Sequence, residues 1–280
     1  MTPPPATLAP PSDQALTRSA LDGDREAFTA LFTRHERGLY NLCYRMTGSR
    51  EEAADLTQEA FLRVFARLGA LQGRDVDLPA YLFRTARNLV YDHSSRRGRE
   101  VAVEDVALAA GADEALEADP ERSTLLAAQQ REVQNANGRL PERFRTVLAL
   151  RELEECSYEQ IGEAMDITPP AVAQLLVRAR MALRRELRME QADLDVLAPR
   201  CRARLGQIGA LIDGQLDEDR AHVLREHIAG CAGCRKARGA MSEASSTYRA
   251  WLPLLPLGLG VEVARAAEGR GLLPGAGARA

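Results

Sequence analysis

From Leu16 to Ser95 the apolar positions of this chain recur at intervals of three and four, and the pattern returns from Glu121 to Glu190. That interval is helical, and no stretch alternates apolar and polar residues with period two, so an all-α chain without a sheet is expected. The clearest helix is SREEAADLTQEAFLRVFARL, residues 49–68. Ser49 and Glu52 have the spacing of a capping box. Ala53, Thr57, Ala60, Phe61, Val64, Phe65 and Leu68 then form one stripe for burial, which leaves Asp55, Gln58, Glu59 and Arg63 outside it. Residues 69–77 read as a loop. A further helix is expected near Leu78, with Pro79 in its first turn, where a missing N–H costs nothing.

In the second block, CSYEQIGEAMDITPPAVAQLLVRARMALRREL has the layout of two helices joined by a tight turn. Ser157 and Gln160 form a capping box that starts a helix at Tyr158, Asp166 and Ile167 make the turn, and Thr168 with Pro169 opens the second helix. Ala171, Val172, Leu175, Leu176, Ala179, Leu183 and Leu187 should form its buried side, with Gln174, Arg178, Arg184 and Arg185 outward. In a helix-turn-helix that outward face meets base edges and phosphates. Taken alone, the segment fits a helical hairpin with a solvated arginine face equally well.

Composition divides the chain further. Residues 1–15 are Pro-rich and polar, a disordered lead-in. A first helical unit spans 16–97, and 98–121 read as a linker; residues 100–121 carry eight acids and no base. A second helical unit spans 122–190, a small third unit 199–240, and a Gly-, Ala- and Pro-rich tail 241–280. The net charge of −3 excludes a general polyanion binder, but residues 169–188 hold five Arg against Glu186 alone, the local excess that nucleic acid requires. Lys236 is the only lysine, so phosphate contacts would fall to guanidinium groups. No signal-peptide pattern opens the chain, and its longest apolar run, AWLPLLPLGLGV, is too short to span a bilayer. A cytoplasmic protein without a membrane span is expected.

With these motifs in order, the chain resembles bacterial sigma factors of the extracytoplasmic-function group. DREAFTALFTRHERGLYNLCYRMTGSREEAADLTQEAFLRVFARL with DLPAYLFRTARNLVYDHSSRR resembles sigma region 2, and LPERFRTVLALRELEECSYEQIGEAMDITPPAVAQLLVRARMALRREL resembles region 4. The resemblance implies two partners, core RNA polymerase and promoter DNA at its −35 and −10 elements. It assigns Asp55, Gln58 and Glu59 to polymerase docking, and Tyr81, Arg84, Arg87, Asn88, Arg96 and Arg97 to the opened −10 strand. Gln174, Arg178, Arg184 and Arg185 fall to duplex DNA, Gln174 with the chemistry to pair with adenine. The chain departs from the family where basic and small polar residues usually follow Val172: here stand Ala173, Gln174 and Leu175, after Pro169 and Pro170.

One feature is foreign to a plain sigma factor. His227-x3-Cys231-x2-Cys234 gathers three soft ligands in a chain with four His and five Cys. A helix from Glu218, capped by Asp217 and stopped by Gly230, would set His227 and Cys231 on one face. Cys201, leading a stripe with Leu205, Ile208 and Ile212, is the best fourth ligand, whereas His222 reads as surface. Three Cys and one His close a tetrahedron, so structural zinc is expected, and thiolate ligands admit a redox-sensitive site. The set resembles the zinc-binding anti-sigma domain. That likeness implies regulation of the sigma regions in cis, or the holding of a separate anti-sigma or signalling protein. Cys43 and Cys156 read as buried thiols. A stand-alone DNA-binding regulator without polymerase docking is the alternative; a zinc hydrolase is disfavoured by the lack of an open ligand position.

Overall fold

A computed structural model describes residues 11–22, 24–71, 77–100, 131–189 and 197–250, and among these every regular element is a helix. The expected linker begins inside the helix that runs to Glu100; its remainder, most of the loop at 69–77 and the tail beyond 250 lie outside the described residues. The first unit consists of α1 (Asp13–Leu21), α2 (Arg25–Thr47), α3 (Arg50–Leu71) and α4 (Leu78–Glu100). Helix α1 starts earlier than composition suggested, because Ser12 accepts the Ala15 N–H and caps it. The α3 stripe is buried as expected at Ala53, Thr57, Ala60, Phe61 and Val64, and Phe32 of α2 meets Phe61 with ring centroids 4.3 Å apart.

The second unit holds α5 (residues 131–139), α6 (Glu142–Glu152), α7 (Tyr158–Met165) and α8 (Pro169–Glu186). Both arms of the Ser157/Gln160 capping box form. Asp166 adopts a left-handed conformation, φ 58°, and turns the chain between α7 and α8. Gly162 is required there, since a Cβ would overlap the Ile167 carbonyl. Thr168 has the backbone of a cap but makes no side-chain cap bond; Pro169 at the first position carries the start of α8. The burial of α8 differs from expectation at several positions. Ala171 is exposed, whereas Ala173 and Val177 are buried against the third unit.

That third unit comprises α9 (Pro199–Arg202), α10 (Leu205–Ile212), α11 (Glu218–Gly230) and α12 (Ala232–Arg249). The boundary expected at residue 240 is corrected: α12 runs on to Arg249 and buries Met241, Ala244 and Tyr248. Residues 237, 240, 241, 244 and 248 share one face, so the continuation has its own apolar stripe. Val177 and Met181 of α8 pack within the core of this unit, beside Leu205, Ile208 and Leu224.

The units do not stand apart. Helix α4 lies against α7, α2 against α6, and α12 reaches both α6 and α8. Asn137 donates to the Arg45 carbonyl at 2.9 Å, Arg145 to the Met46 carbonyl at 2.9 Å, and Asn41 to Glu154 at 3.1 Å. A Cβ at Gly38 would overlap the Glu154 carboxylate, so this glycine permits the close approach of the second unit to α2. Tyr248, fully buried at the end of α12, donates to Asn137 at 3.2 Å and lies under the Arg45 guanidinium, 4.8 Å from the ring centre.

Candidate functional site

The four expected metal ligands converge. Cys201 comes from the short α9, His227 from the last turn of α11, Cys231 from the junction of α11 and α12, and Cys234 from the first turn of α12. Asp217 caps α11 by accepting the Arg220 N–H at 2.9 Å, which sets the register that presents His227. The ligand atoms lie within 4.8 Å of one another. Cys201 Sγ is 3.7 Å from His227 Nε2 and 3.9 Å from Cys231 Sγ, and His227 Nε2 is 3.3 Å from Cys234 Sγ. A zinc tetrahedron with bonds of about 2.3 Å to sulfur has edges of about 3.8 Å, so the residues fit that ion and leave no position for substrate. Burial pushes the Cys234 thiol up to about 12, so a cation at this point is what would hold it as thiolate. The Cys231 thiol is lowered, first by the Cys234 backbone N–H. His222 sits on the surface beside Glu226, apart from the cluster.

The expected polymerase-docking residues lie together on the outer side of α3. Asp55 is exposed; Gln58 and Glu59 are half-buried, with Glu59 paired to Arg63 at 2.8 Å. On α4, Arg84 and Asn88 are exposed and Tyr81 packs partly into the core. Arg87 bonds Asn88 at 2.8 Å and lies over Tyr91; burial lowers its pKa. Asp166, just past the end of α7, is among the charges it feels, since α7 packs against α4. Arg96 and Arg97 belong to α4, but their side chains lie outside the described residues.

On α8, Gln174, Arg178 and Arg185 face outward as expected. Arg184 does not. It is only 4% exposed and is held by the Glu243 carboxylate and the Ala240 carbonyl of α12. The expectation failed because it assumed that the side of α8 away from its own unit meets solvent. Helices α10 and α12 occupy that side instead, and Gly206 of α10 lies so close under Gln174 that a Cβ would overlap its amide.

Sequence reasoning also missed a buried charge cluster where α6, α7, α8 and α10 meet. Arg180 Nη2 donates to Glu152 Oε1 and to Asp213 Oδ1, each at 2.6 Å, and all three side chains are inaccessible to solvent. Tyr158 donates its hydroxyl to Asp213 Oδ2 at 2.6 Å, and Arg151 donates to the Asp213 carbonyl at 2.8 Å. Ser245 and Arg249 of α12 complete Glu152, each at 2.8 Å. Burial opposes the charge on Arg180, but the two carboxylates outweigh it and raise its pKa. Burial, with the Asp213 charge, pushes the Tyr158 phenol up, so it remains a donor. The one available signal was an arginine, Arg180, lying between Ala179 and the apolar residues of the next turn, where a solvated charge is out of place.

Comparison with known proteins agrees with this layout. A family described as "Sigma-70 region 2" matches residues 31–100, "Sigma-70, region 4" matches 130–183, and "Putative zinc-finger" matches 201–235. The chain is 34% identical over 187 residues to the RNA polymerase sigma-H factor of Pseudomonas aeruginosa, covering 64% of this chain and 96% of that one. It is 31% identical over 177 residues to the ECF RNA polymerase sigma factor SigW of Bacillus subtilis, covering 59% and 91% respectively. No helix among the described residues is long and apolar enough to cross a membrane. With both sigma regions matched in order and relatives covered almost from end to end, the chain belongs to the extracytoplasmic-function RNA polymerase sigma factors, which act in transcription initiation by binding and not by catalysis.

Proposed function

We propose that this sigma factor is held in a closed state by its own C-terminal zinc domain, which must move before the chain can direct core polymerase to a promoter. One observation carries the reading: each of the two helices assigned to DNA has a flank packed against other helices of the chain. Helix α8 has α10 and α12 along one flank, and α4 has α7 against it. To enter the major groove α8 needs a free flank as well as a free outer face, because the groove is about 12 Å wide and has no room for a second helix alongside. In the open chain Asp55, Gln58 and Glu59 would dock on polymerase, Arg84, Arg87, Asn88, Arg96 and Arg97 would hold the opened −10 strand with Tyr81, and Gln174, Arg178 and Arg185 would meet the −35 duplex.

The ion is zinc, held by Cys201, His227, Cys231 and Cys234. Its role is to fold a unit too small to bury much core of its own, on the order of 10 kcal/mol coming from metal binding. A peroxide would take two electrons from two of the three thiolates, joining them as a disulfide while it is reduced to water, and this would release the metal and with it the closed state. The site of action is the cytoplasm, where the polymerase is. Run-off transcription with core polymerase tests the reading by comparing the full chain with one ending at residue 189. More transcript from the shorter chain supports autoinhibition; equal or lower output removes it.

A further inference from the structure

The seam between region 4 and the zinc domain has opposite charge on its two sides. Region 4 contributes three guanidinium groups, Arg151, Arg180 and Arg184, against one carboxylate, Glu152. The zinc domain contributes two carboxylates, Asp213 and Glu243, against one guanidinium, Arg249. On α8 the covered residues Ala173, Val177, Arg180 and Arg184 are spaced three or four apart and form one flank of the helix. Two apolar positions therefore lead into two cationic ones along the flank beside the outward face of Gln174, Arg178 and Arg185. Region 4 offers more at the same spot. The Tyr158 N–H, at the N-terminus of the first helix of the pair, donates to the Gln215 side chain at 3.0 Å, and the Tyr158 hydroxyl reaches Asp213. In a helix-turn-helix that first helix crosses the DNA backbone, and helix N-termini are anion sites. Arg180 Nη1 is buried with no hydrogen-bond partner among the described residues, so the pocket has unused donor capacity.

From this juxtaposition we propose that Asp213 and Glu243 stand in for two phosphates of duplex DNA. The zinc domain then competes with the promoter backbone for Tyr158, Arg180 and Arg184, and region 4 can hold one or the other but not both. The apolar flank adds affinity for the zinc domain without adding affinity for DNA. The acids make the exclusion charge-dependent. This deepens the closed-state reading and rests on it.

The test uses the full chain with its metal and a fluorescein-labelled duplex of mixed sequence at low salt, followed by anisotropy. Phosphate contacts are independent of sequence and appear in the salt dependence of binding. Asp213→Asn with Glu243→Gln is expected to bind about tenfold more tightly than the parent chain, with a salt slope steeper by about 1–2 as the freed arginines take up phosphates. Glu243→Gln alone removes a carboxylate that is 56% exposed and keeps the shape of the side chain. It is expected to give about a threefold gain and a slope change of about 1. Unchanged affinity and slope in the double variant overturn the proposal; should that variant not fold, an unchanged Glu243→Gln overturns it by itself. The two readings fail separately. If truncation at residue 189 raises transcription while these variants leave DNA binding unaltered, the closed state survives and phosphate mimicry does not. If truncation changes nothing, both fall.

Discussion

Replacing Tyr248 by alanine should open the closed state. Its ring is fully buried where α12 meets both sigma regions, and its hydroxyl holds Asn137, which in turn holds the Arg45 carbonyl. Truncating a buried aromatic to alanine costs about 3–5 kcal/mol. Part of that comes from the Arg45 guanidinium, which lies over the ring and would face a cavity; cation–π contacts contribute about 1–2 kcal/mol when desolvated. The terms overlap, and about 4 kcal/mol is a fair total for the variant. Because Tyr248 belongs to the zinc-domain helix and its partners to regions 2 and 4, the loss falls on docking of that helix and not on the core of either sigma region. At about 1.4 kcal/mol per tenfold, 4 kcal/mol moves an open–closed equilibrium by about three decades. The assay is run-off transcription with core polymerase, alongside metal content and far-UV circular dichroism. Tyr248→Ala should transcribe up to the level of the chain ending at residue 189. Tyr248→Phe, which loses one hydrogen bond worth about 1 kcal/mol, should rise far less. A Tyr248→Ala protein that keeps its metal and helicity yet transcribes no better than the parent would refute the reasoning.

Three further outcomes are expected. Cys201→Ser should lower bound zinc from one per chain to near zero by elemental analysis and make residues 199–250 protease-sensitive, while the sigma regions keep their helicity; retained stoichiometric metal would contradict the ligand set. The Glu154 carboxyl is pushed up to about 6, mainly by burial against α2 and in spite of its bond from Asn41. A carboxyl raised above its ordinary value favours the folded state while protonated. The contribution of Glu154 to stability should therefore be full below about pH 4.5 and be lost as pH rises through about 6, and Glu154→Gln should remove that component of the slope in thermal melts between about pH 4.5 and 6.5. Finally, Asp55→Ala with Glu59→Ala should weaken core-polymerase binding about tenfold in co-elution or fluorescence titration without altering the melting temperature, since neither side chain is in the core. Full polymerase affinity in that variant would instead favour a DNA-binding regulator.

Local chemistry alone was enough for the helices and for most of the metal site. The Ser157/Gln160 box, the left-handed Asp166 and the Pro169 start each act within a few residues, so they can be read without knowing what surrounds them. His227, Cys231 and Cys234 are near neighbours in sequence for the same reason, and Cys201 joins them only through the packing of α9. The extension of α12 was legible in principle at Ala237, Met241, Ala244 and Tyr248, but a stripe built mostly from alanine has little contrast with its Ser- and Ala-rich surroundings.

The tertiary structure decided which surface each helix shows to solvent. Period alone says that α8 has a side turned away from region 4; it does not say that α10 and α12 cover that side. Arg184 was therefore expected to be free and is buried, and Arg180, Glu152 and Asp213 form a cluster that no spacing announces. Caps and stripes arise from interactions within one or two turns, which the order of residues specifies directly. Pairing between surfaces far apart in the chain depends on shape and charge complementarity that exists only once the helices have formed.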